Sequence, residues 1–149
     1  MKRFATMAFL LVAPALVAFA ADDKPAGPEG TYKVTAMSHG GAKIPDDKLK
    51  GFEGATIKGD KFTMKIGGET KVATVKIDAK AKPATIDMSP DEGPEKGKTM
   101  KGIWKLEKGV LTIAVFVGKD GETKRPENFD GKGADDIVFE LTKSEKSDK

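Results

Sequence analysis

Apolar and polar residues alternate with a period of two through most of this chain, in short runs that glycine turns break at intervals of roughly ten residues. A period of two sends successive side chains to opposite faces of a strand, so each run is a ribbon with one dry and one wet face. Tyr32, Val34 and Ala36 alternate with Lys33 and Thr35, and Phe62, Met64 and Ile66 with Lys61, Thr63 and Lys65. Ala73, Val75 and Ile77 alternate with Thr74 and Lys76, while Ile86 and Met88 flank Asp87. Met100, Trp104 and Leu106 alternate with Lys101 and Lys105, and Ile137, Phe139 and Leu141 with Glu140 and Thr142. Residues 110–117 read VLTIAVFV, apolar on both faces, which predicts the most enclosed strand.

The turns are equally plain. Gly59-Asp60, Gly67-Gly68 and Glu107-Lys108-Gly109 each join two such runs as tight hairpins. Only residues 45–50 predict a helix: Pro45 opens it, Asp46 and Asp47 sit in the first turn, and Gly51 follows. About eight short strands joined by hairpins predict an all-β fold, an antiparallel up-and-down, lipocalin-like β-barrel with one short helix. Closing the sheet removes its edges. A β-sandwich is the alternative, because alternation alone does not reveal closure.

Composition narrows the chemistry. The chain has no Cys, which excludes a disulfide framework, a thiolate metal site and a Cys nucleophile. All 17 Gly fall after residue 20, consistent with many turns and few long helices. Met1-Lys2-Arg3 is followed by an apolar stretch to Phe19, and Ala18-Phe19-Ala20 fits a small-x-small cleavage site. Residues 1–20 are therefore expected to be a signal peptide cut before Ala21, leaving a periplasmic or secreted protein with no transmembrane anchor. Those residues hold Lys2 and Arg3 and no acid, so the total of 26 basic residues becomes 24 against 23 acidic, a net of about +1. Near-neutral charge, with one Tyr and one Trp in the chain, argues against nucleic acid as a partner. The expected organisation is signal peptide 1–20, flexible linker 21–29, barrel domain 30–143 and disordered tail 144–149.

Four segments together resemble a known family. They are Gly30-Thr31-Tyr32, the stretch from Asp78 through Pro83 to Ile86-Asp87, Gly102-Ile103-Trp104, and Arg125-Pro126-Glu127-Asn128-Phe129. Their order is similar to that in the small secreted domains, abundant in planctomycetes, that carry an opening G-x-W, a D-x4-P-x2-I-D segment, a G-I-Y/W strand and an R-P-x-x-F loop. Tyr32 stands where that family usually has Trp. The resemblance covers residues 30–143. It implies export, a lipocalin-like barrel and structural roles for Gly30, Asp78, Pro83, Asp87, Gly102, Arg125, Pro126 and Phe129, and it implies no particular activity.

No catalytic constellation is recognisable. Gly93-Pro94-Glu95-Lys96-Gly97-Lys98-Thr99 ends like a phosphate-binding loop, but it has three residues between its glycines where that loop needs four, and it runs into a strand. His39, the only imidazole, reads as an exposed loop residue with no nucleophile to serve. Asp46-Asp47, Asp91-Glu92, Asp135-Asp136 and the turn Asp120-Gly121-Glu122 lack the alternating acidic pattern of a calcium loop, so no metal or cofactor is expected. Asp87 with Glu127 or Asp130 would be the candidates for a two-carboxylate glycosidase.

Asp87 points away from Ile86 and Met88, and Pro126 stiffens the chain after Arg125. A bidentate Asp87–Arg125 pair would pin the long loop 118–130 onto the barrel; the rival is a free Arg125 that binds an anionic group. The dry face, meanwhile, supplies Tyr32, Val34, Ala36, Ile57, Met64, Met88, Trp104 and their neighbours, with no charge among them. An eight-stranded barrel is just wide enough to be filled by its own side chains or to hold one small ligand. The candidate ligand-binding residues, in the interior or at the mouth, are Tyr32, Met64, Met88, Trp104 and Arg125. The expected function is an exported binding module, a monomer that takes a small apolar or amphipathic ligand. The alternative is a structural or protein/polysaccharide-interaction domain of the cell envelope.

Overall fold

The computed structural model describes residues 27–118 and 124–144. The expected signal peptide, most of the linker, the Asp120-Gly121-Glu122 turn and all but the first residue of the tail lie outside the described residues. Among the described residues nine strands form, in chain order: β1 (Gly30–His39), β2 (Ala42–Lys43), β3 (Phe52–Lys58), β4 (Lys61–Ile66), β5 (Glu69–Asp78), β6 (Ala84–Pro90), β7 (Met100–Glu107), β8 (Val110–Phe116) and β9 (Asp136–Lys143). One short helix, α1 (Asp46–Leu49), falls where Pro45 and the two acids predict it.

All pairings are antiparallel, and β3 to β9 follow one another around the sheet. The sheet closes because β1 pairs with β3 on one side and, over seven residue pairs, with β9 on the other. That closure decides for the barrel over the sandwich. The ring has eight strands, and β2 is an additional two-residue strand that pairs with the end of β1. The hairpins turn where glycine allows: Gly59, Gly67, Gly68 and Gly109 all have positive φ, as does Lys108 at 50°.

The interior is packed from the rows that alternation marks as dry. Tyr32, Ile57, Ile86, Leu111, Ile113 and Leu141 are almost wholly buried in one cluster with Trp104. Each such aliphatic side chain contributes roughly 1.5–3 kcal/mol of burial. Ala36 departs from the expectation. Val34 faces Leu141 and Ala36 faces Glu140, so Thr35 is an extra residue in a β-bulge. The slip turns Ala36 outward and brings Met37 inward opposite Phe139. Thr35 Oγ1 donates to the Glu140 carbonyl at 3.0 Å, which uses the bulged residue as a tie to β9.

The packed domain also begins earlier than the linker boundary predicts. Pro28 is fully buried, and its carbonyl accepts a 2.9 Å hydrogen bond from the Tyr32 hydroxyl. That bond satisfies the one polar atom of an otherwise apolar anchor.

A second, smaller core lies outside the barrel. Ile103, Ala114 and Val138 point outward from β7, β8 and β9, and Phe129 from the β8–β9 connection covers them. This accounts for the double-sided apolarity of residues 110–117: their inner row fills the barrel and their outer row is roofed by residues 124–135.

Candidate ligand-binding site

One end of the barrel is formed by the close of β4, β6 and β8 and the start of β5, β7 and β9. A cavity of about 310 Å³ opens there. Its walls are interior side chains: Met64, Met88 and Met100, with Phe62 and Phe139, Ile66 and Ile137, and Val115 and Val117. Space remains because small or flexible residues sit at this level. Ala73 lies between Phe62 and Pro90, and Met88 lies directly opposite Met100. Unbranched thioethers yield to an incoming apolar group more readily than β-branched side chains do.

One rung deeper the barrel is full. Gly102 lies between Ile86 and Val115, both almost wholly buried, and a Cβ there would stand 2.6 Å from the Ala114 carbonyl oxygen. Only glycine lets β7 approach this closely, so the Gly102 rung lies beneath the cavity as a packed layer. The volume lies at the low end of the range of about 300–1,000 Å³ usual for small-molecule sites.

The lip carries the charge. β5 begins at Glu69, so the alternation of Ala73, Val75 and Ile77 extends back to Lys71 and Glu69 on the inner row. Lys71 lines the cavity opposite Met64, and with Glu69 it departs from an uncharged dry face. Its Nζ lies 2.7 Å from Glu69 Oε2. The hydrogen bond to Glu69 holds the Lys71 ammonium above its ordinary pKa and the Glu69 carboxyl below its own. Across the lip, Glu92 and Glu95 come from the loop between β6 and β7, and Glu95 pairs with Lys98 at 3.1 Å. His39 closes β1, exposed and opposite Ile137, so it belongs to the inward row of the rim and not to a loop. Lys71 was findable from sequence, by carrying the period of two back through Glu69-Thr70-Lys71.

Comparison with known proteins adds no relative. No family model, no curated protein and no solved structure matches the chain. The site therefore stands on its own geometry.

Of the sequence candidates, Met64 and Met88 line the cavity. Tyr32 and Trp104 belong to the packed interior instead: Tyr32 is tied to Pro28, and Trp104 Nε1 donates to the Thr85 carbonyl at 3.1 Å. Both sit on rungs too tightly filled to touch a ligand at the mouth. Arg125 is outside the barrel altogether. Its Nη1 lies 2.8 Å from Asp87 Oδ1 and donates to the Gly102 carbonyl at 2.6 Å. The pair is not the bidentate fork expected from sequence, because one nitrogen serves both oxygens and the N–H is aimed at the carbonyl. Asp87 Oδ1 is buried with no directed hydrogen bond. It faces the guanidinium, with Lys76 and Lys101 opposite Asp87 on the flanking strands.

The other motif residues hold turns and the outer pad. Asp78 Oδ1 accepts from the backbone N–H of Lys80 and Ala81, at 2.9 and 3.3 Å, and so shapes the turn that leads to the exposed Pro83. Pro126 is buried under the pad, and Lys105 Nζ lies 5.1 Å above the Phe129 ring. Gly30, at φ 147°, starts β1 beside Ile57. Glu127 and Asp130 are exposed on the pad, and neither they nor Asp87 lines the cavity. Residues 93–99 form a turn-rich loop that enters β7, not a helix. Among the described residues, no group of three or more His, Asp or Glu is placed to hold a metal ion, and no helix is long and apolar enough to cross a membrane.

A wider groove of about 630 Å³ lies at the β1–β3 seam beside α1. Lys33, Asp46, Lys50 and Glu53, all exposed, rim it around Val34, Leu49 and Phe52, so it is an open furrow with a charged edge. The mouth cavity is smaller but has apolar walls, and it is the candidate site.

Proposed function

We propose that this chain is an exported binding module that takes a small apolar or amphipathic ligand, tail first, into the open end of its barrel. One observation carries the proposal: a cavity of about 310 Å³ with thioether, aromatic and aliphatic walls, sitting above a packed floor. An apolar tail placed there leaves water for predominantly apolar walls, with the charged side chains confined to the lip, the favourable case for burial. Export to the periplasm or beyond is part of the same proposal. It is supported by Lys2-Arg3, the apolar run to Phe19 and Ala18-Phe19-Ala20. Membership of the secreted lipocalin-like family is supported by the four motifs, whose residues in this fold shape turns, Gly102 close packing and the outer pad. The module works as a monomer.

Calorimetric titration of 1-octanol into residues 21–149 tests the site; that span contains every strand of the barrel. Saturable binding of one octanol per chain is expected. Ala73→Phe, which fills the cavity, is expected to weaken it at least tenfold, and Met100→Phe serves the same purpose should the first variant unfold. The absence of saturable binding in the parent chain, or equal binding in a folded cavity-filled variant, contradicts the proposal.

A further inference from the structure

The charges at the lip bear on which end of an amphiphile this site recognises. Resting on the binding-module reading above, we infer that the ligand carries a cationic head group, an ammonium, held at the lip by Glu92. Three charged side chains line the cavity: Lys71, Glu92 and Glu95. Two of them are already neutralised. Lys71 is bonded to Glu69 at 2.7 Å, and Glu95 pairs with Lys98 at 3.1 Å. The neighbouring Asp91 is taken too, with Lys61 at 2.8 Å and the Thr74 hydroxyl at 2.8 Å. Glu92 has no ion-pair partner among the described residues. Lys71 feels the charge of Glu92, but its ion pair is with Glu69.

The lip thus presents one carboxylate without an ion-pair partner among the described residues, beside an apolar mouth. A ligand whose tail fills the cavity brings its head to that level. An anionic head would meet Glu92 and compete with Glu69 for Lys71. A cationic head would complete the one open pair and displace nothing. The carboxylate is exposed, so the contribution is that of a surface ion pair, equivalent to a preference of about threefold to fivefold over a neutral head and screened by salt.

The test compares three probes with the same tail, octyltrimethylammonium, 1-octanol and octanoate, titrated into residues 21–149 at low ionic strength. The expected order of affinity is ammonium, then alcohol, then carboxylate. Glu92→Gln should bring the ammonium and the alcohol to within about twofold of each other. Raising the salt should erase the preference in the parent. Equal affinity for all three probes, or a preference for octanoate, overturns the head-group inference and leaves the cavity reading intact. Failure of all three to bind overturns both. Preference for the ammonium that survives Glu92→Gln places the recognition elsewhere and overturns the role of Glu92.

Discussion

Gly102 and Arg125 show how much of this fold hangs on single atoms. A Cβ at Gly102 would meet the Ala114 carbonyl at 2.6 Å and Val115 Cγ1 at 2.8 Å, with the Ile86 carbonyl 3.2 Å away. Backbone on both flanking strands cannot rotate aside, so Gly102→Ala should cost about 1–3 kcal/mol, as over-packing does. Urea denaturation checks this; an unchanged midpoint would mean that β7 is looser than its contacts imply. The Gly102 carbonyl also receives Arg125, which ties the outer pad to the same rung. Arg125→Ala removes a charge-assisted hydrogen bond and leaves Asp87 Oδ1 buried without its cation. The expected loss is about 1–3 kcal/mol, with faster proteolytic cutting between residues 118 and 135. Asp87→Ala should cost less, because Arg125 keeps its carbonyl. Equal and negligible effects of both changes would show that Phe129 and Pro126 hold the pad alone.

At the level of elements, the strands were legible because one face is wet and the other dry, and each turn was legible because glycine marks it. What escaped the sequence is instructive. Thr35 interrupts no hydrophobic pattern, since Ala36 fits either face, so nothing in the string betrays the bulge that turns Met37 inward. Lys71 escaped because a lysine at the start of a strand looks solvated even when it stands on the inner row. The outer pad was half-legible: the Asp87–Arg125 pairing could be guessed from the motifs, but its single-nitrogen geometry depends on where the Gly102 carbonyl lies. Tyr32 and Trp104 face the interior as alternation predicts but do not line the mouth cavity, because alternation gives the face of a residue and not its depth along the barrel. The bulge is directly testable. Deleting Thr35 leaves Val34 and Met37 facing in and should cost only about 1 kcal/mol, the worth of its hydrogen bond to Glu140. Deleting Thr74 from the middle of β5 turns the residues on one side of the deletion to the wrong face and should abolish folding, read by near-ultraviolet circular dichroism.

For the molecule as a whole, charge sets the pH range in which the barrel is strongest. The hydrogen bonds from Lys61 and then Thr74 hold Asp91 below the ordinary carboxylate range, and Lys71 does the same for Glu69. A depressed carboxyl contributes stability above its unfolded pKa and loses it as pH falls through the folded value. Lys61 and Lys71 are raised by those same partners, and burial raises the Tyr32 phenol. A raised group contributes fully below its unfolded pKa, near 10 for both residue types, and loses it as pH rises through the folded value. The urea midpoint should therefore be flat across neutral pH and fall at both extremes. Lys61→Met should lower the plateau slightly and shrink the acid-side fall; an unaltered acid limb would show that Asp91 owes its low pKa to other groups.

Methionines report directly on the cavity. Residues 21–149 contain Met37, Met64, Met88 and Met100, of which the last three line the cavity and Met37 does not. The most direct measurement is a ¹³C-methyl methionine spectrum of this chain recorded through a titration with 1-octanol. The ε-methyl signals of Met64, Met88 and Met100 should shift together and saturate, while Met37 stays in place. Four signals that do not move, or that all drift without saturating, would contradict the binding-module reading and leave a barrel whose interior takes no guest.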